Sequence, residues 1–125
     1  MIANVTLVVP DYDEAIAFFT GVLGFELVED TVMSETKRFV RVRPRAGGTC
    51  LLLAQPKNTA ERAAIGNQTG GRVTFFLHTD EFQRAYSALE ASGAEFTGPV
   101  RHEAYGTVVV FKDPWGNLWD LVQPA

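Results

Sequence analysis

The chain has 125 residues, 46% of them hydrophobic, and a formal net charge of −4. That is long and apolar enough for a single folded domain with a real core, and its acidic balance argues against nucleic acid as a partner. One cysteine and two histidines exclude an internal disulfide, a cysteine-rich zinc site and a three-histidine metal site.

No apolar run approaches the roughly 18 residues of a membrane span, so no membrane partner is expected. Residues 1–5 lack the basic start of a secretory signal, and a cytoplasmic location is expected. Residues 4–9 alternate around Val5, Leu7 and Val9 and predict a strand. Asp11 then opens a helix, with Glu14 placed for a capping box. Ile16, Phe19 and Leu23 recur at helical spacing, and Gly24 suits a left-handed terminus. Residues 25–33, 37–43 and 49–55 predict three more strands, with Gly47-Gly48 turning between the last two. Residues 56–71 are rich in turn formers, with one helical turn predicted over 60–65. A strand over 72–77 follows, then a helix over 80–92 with Phe82, Tyr86 and Leu89 on one side and Gly93 at its end. Residues 94–100, 106–112 and 117–122 complete the strands, with turns at 101–106 and 113–116.

Shifted by 68 residues, the sequence meets itself. Val5-Thr6 falls on Val73-Thr74, Val40 and Val42 on Val108 and Val110, Gly48 on Gly116, Leu53 on Leu121, and Gln55-Pro56 on Gln123-Pro124. An added residue carries Gly24 onto Gly93 and Glu26 onto Glu95. The common offset points to an internal repeat of a strand–helix–three-strand unit. Module one covers about 1–55, a crossover 56–71, and module two about 72–125, together one domain over 1–125.

The stretches Val8-Val9-Pro10-Asp11-Tyr12-Asp13-Glu14-Ala15-Ile16-Ala17-Phe18-Phe19, Leu23-Gly24-Phe25 and Asp113-Pro114-Trp115-Gly116-Asn117-Leu118-Trp119-Asp120-Leu121 carry a family likeness. With this repeat, the chain resembles the vicinal-oxygen-chelate superfamily, which includes glyoxalase I, extradiol dioxygenases and bleomycin- and fosfomycin-resistance proteins. It looks closest to an uncharacterised glyoxalase-like group. The resemblance implies an α+β fold of tandem βαβββ modules, a mixed sheet curled around a cleft, and often a homodimer. In metal-dependent members, His, Gln or Glu from the first and last strand of each module point into that cleft.

Those four positions fall on Asn4, Leu52, Arg72 and Asp120. Leucine has no lone pair to give, and arginine brings a fixed positive charge where a cation would sit. No metal and no cofactor are therefore expected. Arg72 and Asp120 are instead expected to pair across neighbouring strands. The pair either plugs a redundant cavity or presents spare guanidinium donors to an anionic or carbonyl-bearing ligand.

Strand alternation adds Thr6, Phe39, Arg41, Cys50, Thr74, Phe76, Thr107, Val109, Leu118 and Val122 to the cleft wall, and places Val73, Val108, Trp119 and Leu121 under the helices. Of the basic stretch 37–45, Arg41 alone is expected to turn inward, and Tyr105 is the aromatic of the rim. Cys50 is expected to be buried and inert, with nothing basic beside it on its face. His78 either acts as a general base or bonds locally. The ligand-binding residues expected are Asn4, Arg41, Arg72, Thr74, Phe76, Tyr105 and Asp120. The function this supports is metal-free binding of a small organic molecule. The alternative is a lyase or isomerase resembling glyoxalase I, with Asp120 or His78 as base and Arg72 steadying an oxyanion.

Overall fold

Period-two alternation of β-branched and aliphatic residues sets the strands, and the helices begin where a polar side chain can accept their first free N–H groups. A computed structural model describes all residues, Met1–Ala125. The chain is α+β and divides into two units, Met1–Ile65 and Gly66–Ala125.

The first unit runs β1 (Asn4–Val8), α1 (Tyr12–Ala17), a π-helical turn (Phe18–Val22), β2 (Glu26–Val32), β3 (Arg38–Arg43), β4 (Cys50–Ala54) and α2 (Thr59–Ala64). Its sheet has the order β1-β4-β3-β2. β1 and β4 are parallel and the other pairs antiparallel. The Asp11 side chain accepts from the Glu14 N–H at 2.8 Å. The Tyr12 N–H donates to Gln55 Oε1 at 3.0 Å, tying α1 to the end of β4. The predicted helix does not stay α-helical to Gly24. Its last turn widens, with the Leu23 N–H reaching the Phe18 carbonyl at 3.2 Å, and two consecutive rings, Phe18 and Phe19, are buried. Gly24 takes the left-handed conformation (φ 70°) that ends the helix. Leu7, Val9, Val40, Val42 and Leu53 line the helix side of this sheet at 1% exposure or less, each stabilising the fold by roughly 1.5–3 kcal/mol.

The second unit runs β5 (Val73–His78), α3 (Phe82–Ala91), β6 (Glu95–Phe96), β7 (Arg101–Glu103), β8 (Gly106–Lys112) and β9 (Leu118–Pro124). The order is β5-β9-β8-β6, with β7 also on β8, and β5 is parallel to β9. This is the plan of the first sheet. The Phe82 N–H donates to Gln123 Oε1 at 2.9 Å, so Gln123 holds α3 as Gln55 holds α1. On the helix side Trp119 packs against Phe75 and Phe111, with centroids 4.4 and 5.8 Å away. Tyr86 of α3 stacks on Phe96 at 4.6 Å.

Three sequence expectations change here. The strand predicted over 94–100 shrinks to β6, because Gly98 and Pro99 interrupt the ladder. The turn predicted over 101–106 is mostly strand, since β7 pairs with β8 and only Ala104-Tyr105 turns. The faces of β8 are also exchanged. Val109 lies opposite Leu121 and Phe111 opposite Trp119, so both face α3, while Val108 and Val110 lie opposite Val122 and Asp120 on the other side. Thr107 lies opposite Gln123, on the helix side. The cause is length. Residues 44–49 join β3 to β4, but only 113–117 join β8 to β9. The turn is one residue shorter, and a one-residue slip turns every side chain over. Val40 therefore corresponds to Val109, not Val108.

Candidate functional site

β5, β9 and β8 set side by side the residues of the second sheet that face away from α3. Phe76 is the register partner of Asp120 on one flank, and Val110 on the other. The next row holds His78, Val122, Val108 and, on β7, Arg101. On the opposite side Val73, Leu118 and Lys112 form a third row.

Phe76 is 67% exposed, unusual for a phenylalanine in a strand. Asp120 is half-buried, and its Oδ1 is shut from solvent without a hydrogen-bond partner. Burial pushes the Asp120 carboxyl above the ordinary carboxylate range, and the positive charge of Arg101 pulls it back down. Arg101 itself holds Glu103 at 3.0 Å, and Lys112 holds Glu95 at 2.9 Å.

The expected pairing of Arg72 with Asp120 does not form. In β1 the step from Asn4, opposite Cys50, to Thr6, opposite Leu52, is regular. In β5 the register shifts between Val73, opposite Leu118, and Phe75, opposite Trp119. This bulge carries one extra residue. It brings Val73 out from under the helix to the Leu118 side; with a further one-residue offset already present before the bulge, Phe76 and not Thr74 lies beside Asp120, and Arg72 is exposed before the strand begins. Thr74 sits at the shift, its hydroxyl 3.1 Å from that of Thr69. The cation facing Asp120 is Arg101, which sequence reasoning placed in a turn because a three-residue strand leaves no periodic signal.

Arg41 turns to the face of the first sheet that lies away from α1, as expected from alternation, but not alone: Arg43, two residues on, shares that face and is paired with Glu26. Arg41 is already committed there: Nη2 meets Glu29 Oε1 at 3.0 Å, Nη1 lies 3.7 Å from Cys50 Sγ, and the guanidinium lies over Phe39 at 5.9 Å. Cys50 is buried as expected, but the sequence missed this basic neighbour on the adjoining strand β3. Asn4 is exposed at the start of β1, opposite Cys50. Tyr105 is 55% exposed in the turn between β7 and β8. The structure thus groups Phe76 with Asp120, leaves Arg72, Thr74 and Tyr105 off that cluster, and carries Asn4 and Arg41 on the first unit. A hollow of about 440 Å³ beside the β2–β3 turn is lined by Tyr12, Gln55 and residues 34–38. Its guanidinium, Arg38, is held by Asp13 at 2.9 Å and Asp30 at 2.7 Å.

The residues do not fit a divalent metal. Register replaces Arg72 at the first-strand position of the second unit by Val73 and Phe76, and Leu52 stands at the last-strand position of the first. No three His, Cys, Asp or Glu side chains come together, whereas a catalytic zinc site takes about three such ligands.

The model of the family described as "Glyoxalase/Bleomycin resistance protein/Dioxygenase superfamily" matches residues 1–121. An uncharacterized protein of Shewanella frigidimarina is 48% identical over 124 residues, covering 98% of this chain and 92% of that protein. A member of the same superfamily from Sphaerobacter thermophilus has a solved structure that superposes with a TM-score of 0.75 at 29% identity, over 98% of this chain and 96% of its own. TnmS3, an antibiotic binding protein from a Streptomyces species, superposes with a TM-score of 0.77 at 25% identity, over 100% of this chain and 96% of its own. The duplicated strand plan, the motif stretches and the matched family agree: the chain belongs to the glyoxalase/bleomycin resistance protein/dioxygenase superfamily.

Proposed function

We propose that the protein binds a small organic molecule without a metal ion, on the face of the second sheet where Phe76 and Asp120 lie together. One observation carries the reading. An exposed aromatic ring adjoins a carboxyl whose buried Oδ1 has no partner. Buried polar atoms in native proteins are almost always satisfied, and rotation of the half-buried Asp120 carboxyl toward a bound group meets that need. Apolar neighbours with a few convergent polar groups are the usual make-up of a small-molecule site. The antibiotic-binding role of TnmS3, a structural relative at 25% identity, supports binding over catalysis. The donor set supports metal-free action, since Asp120 is the only ordinary oxygen ligand at the four positions.

A thermal-shift screen of small amines, alcohols, carbonyl compounds and carboxylates on tag-free, chelator-treated protein tests this. A ligand at 100 times its Kd stabilises the native state by about 2.7 kcal/mol, roughly a 10 °C rise for a domain of this size. Phe76→Ala, which removes an exposed ring, is expected to abolish the rise and leave the unliganded Tm within about 2 °C. Rises that require added metal, or that persist in Phe76→Ala, would refute the proposal.

A further inference from the structure

The charges on the two sheet faces that turn away from the helices are almost all paired. In the first unit Arg41 is bound to Glu29 and Arg43 to Glu26. In the second, Lys112 is bound to Glu95 and Arg101 to Glu103. The sequence offered Arg72 as a donor to an anionic or carbonyl-bearing ligand and Arg41 as an inward-turned binding residue. The structure commits Arg41 and moves Arg72 off the sheet. Asp120 is the carboxyl of this face with neither an ion pair nor a hydrogen bond.

The side chain beside it matters as much. Phe76 is the register partner of Asp120 and its ring is largely exposed. An aromatic face attracts a cation through its quadrupole, and a carboxylate makes its strongest hydrogen bonds to an ionised donor. The two together form a recognition pair for a positively charged nitrogen. Val110 and Leu118, around Asp120, are partly exposed and apolar, and suit the hydrocarbon part of the same molecule. An organic anion would meet Asp120 head-on, and a neutral carbonyl would find no donor in this row. The net charge of −4 also favours approach of a cation.

We propose that this face takes a small organic cation, a protonated amine on an apolar body, with Asp120 as its counter-ion and Phe76 as its ring contact. The proposal rests on the small-ligand reading above and gives that ligand its charge.

Three probes of one size and three charges test it: 2-phenylethylamine, 2-phenylethanol and phenylacetate. Each is titrated calorimetrically into wild type, Asp120→Asn and Phe76→Ala at pH 7, with melting curves confirming that each variant folds. The amine is expected to bind at least about tenfold tighter than the alcohol, with phenylacetate weakest, in line with the strength of charge-assisted hydrogen bonds and cation–π contacts. Asp120→Asn is expected to reduce amine affinity by about tenfold or more and to leave the alcohol within about twofold. Phe76→Ala is expected to weaken both. If the alcohol or phenylacetate binds wild type as tightly as the amine, and Phe76→Ala weakens it, the charge assignment is overturned and the small-ligand reading stands. If none of the three binds, both fall together.

Discussion

Asp113→Ala is expected to be the most damaging single change in the second unit outside the apolar core. Asp113 is 4% exposed and its carboxyl accepts four hydrogen bonds. Oδ1 takes the backbone N–H groups of Trp115 at 3.1 Å and Asn117 at 2.9 Å. Oδ2 takes Asn117 Nδ2 at 2.8 Å and Trp119 Nε1 at 3.1 Å. Asn117 and Trp119 are themselves 2% and 1% exposed, so truncation strands two side-chain donors away from water. Each stranded buried donor costs about 1–3 kcal/mol, and donors in one network share part of that cost. Loss of the carboxylate's own burial penalty, which pushes its pKa up despite four donors, offsets some of it. The net is about 3–4 kcal/mol, a large share of a typical native stability of about 5–15 kcal/mol. Asp113→Asn separates shape from acceptor capacity: in either amide orientation its NH₂ faces two donors, so about 2–3 kcal/mol is expected. Urea denaturation measures both. An Asp113→Ala variant within 1 kcal/mol of wild type would refute the view that this carboxyl organises the turn and the tryptophan together.

Other changes test separate links. Asp120→Asn is expected to stabilise the unliganded protein by about 1 kcal/mol at pH 7, read as a Tm rise of a few degrees. Burial raises the Asp120 carboxyl, so the folded state holds that proton more tightly than the unfolded state. Wild type therefore keeps this contribution below the unfolded carboxylate pKa and loses it as pH rises through the raised folded value. Arg101 on β7 opposes the shift, and Glu103, His78, Lys112 and Glu95 are the other titratable groups on this face. The advantage of the Asn variant is expected to vanish in melts near pH 3, and a variant less stable than wild type at pH 7 would contradict the reasoning. Gly66→Ala is expected to lower Tm by about 10 °C or more, because its Cβ would lie 1.9 Å from the Trp115 carbonyl oxygen at a φ of +71°. Gly21→Ala, with nothing within 4 Å, is expected to change Tm by less than about 3 °C. Gln55→Ala and Gln123→Ala are each expected to cost about 1 kcal/mol in urea melts, like the loss of a helix cap. A large effect from only one would deny that the two side chains do the same work.

Much of the fold was legible because it is written in period and punctuation. The alternation of Val5, Leu7 and Val9, the Asp11 cap and Gly24 each specify local geometry. Gln55 and Gln123 stood out by spacing, and each caps the first N–H of a helix. The site was less legible because it depends on register. One residue missing from the turn after β8, and two added at and before the bulge of β5, leave the alternating pattern of each strand in place. They nevertheless exchange Val108 with Val109 and move Arg72 off the sheet. Neither event disturbs hydrophobic periodicity, so an offset carried along the sequence misassigns faces wherever lengths differ. Phe76 and Asp120 were both named from sequence, but their adjacency, and the role of Arg101 beside them, follow only from strand pairing.

The central claim is that a small ligand binds the second sheet through Phe76 and Asp120 without metal. Amide chemical-shift mapping of chelator-treated protein with 2-phenylethylamine tests it most directly. The account predicts saturable shifts centred on Phe76, Val110 and Asp120, moved to about tenfold or more higher amine concentration in Asp120→Asn and unchanged by added zinc. Shifts centred elsewhere on the chain, or appearing only once a divalent metal is supplied, would contradict it.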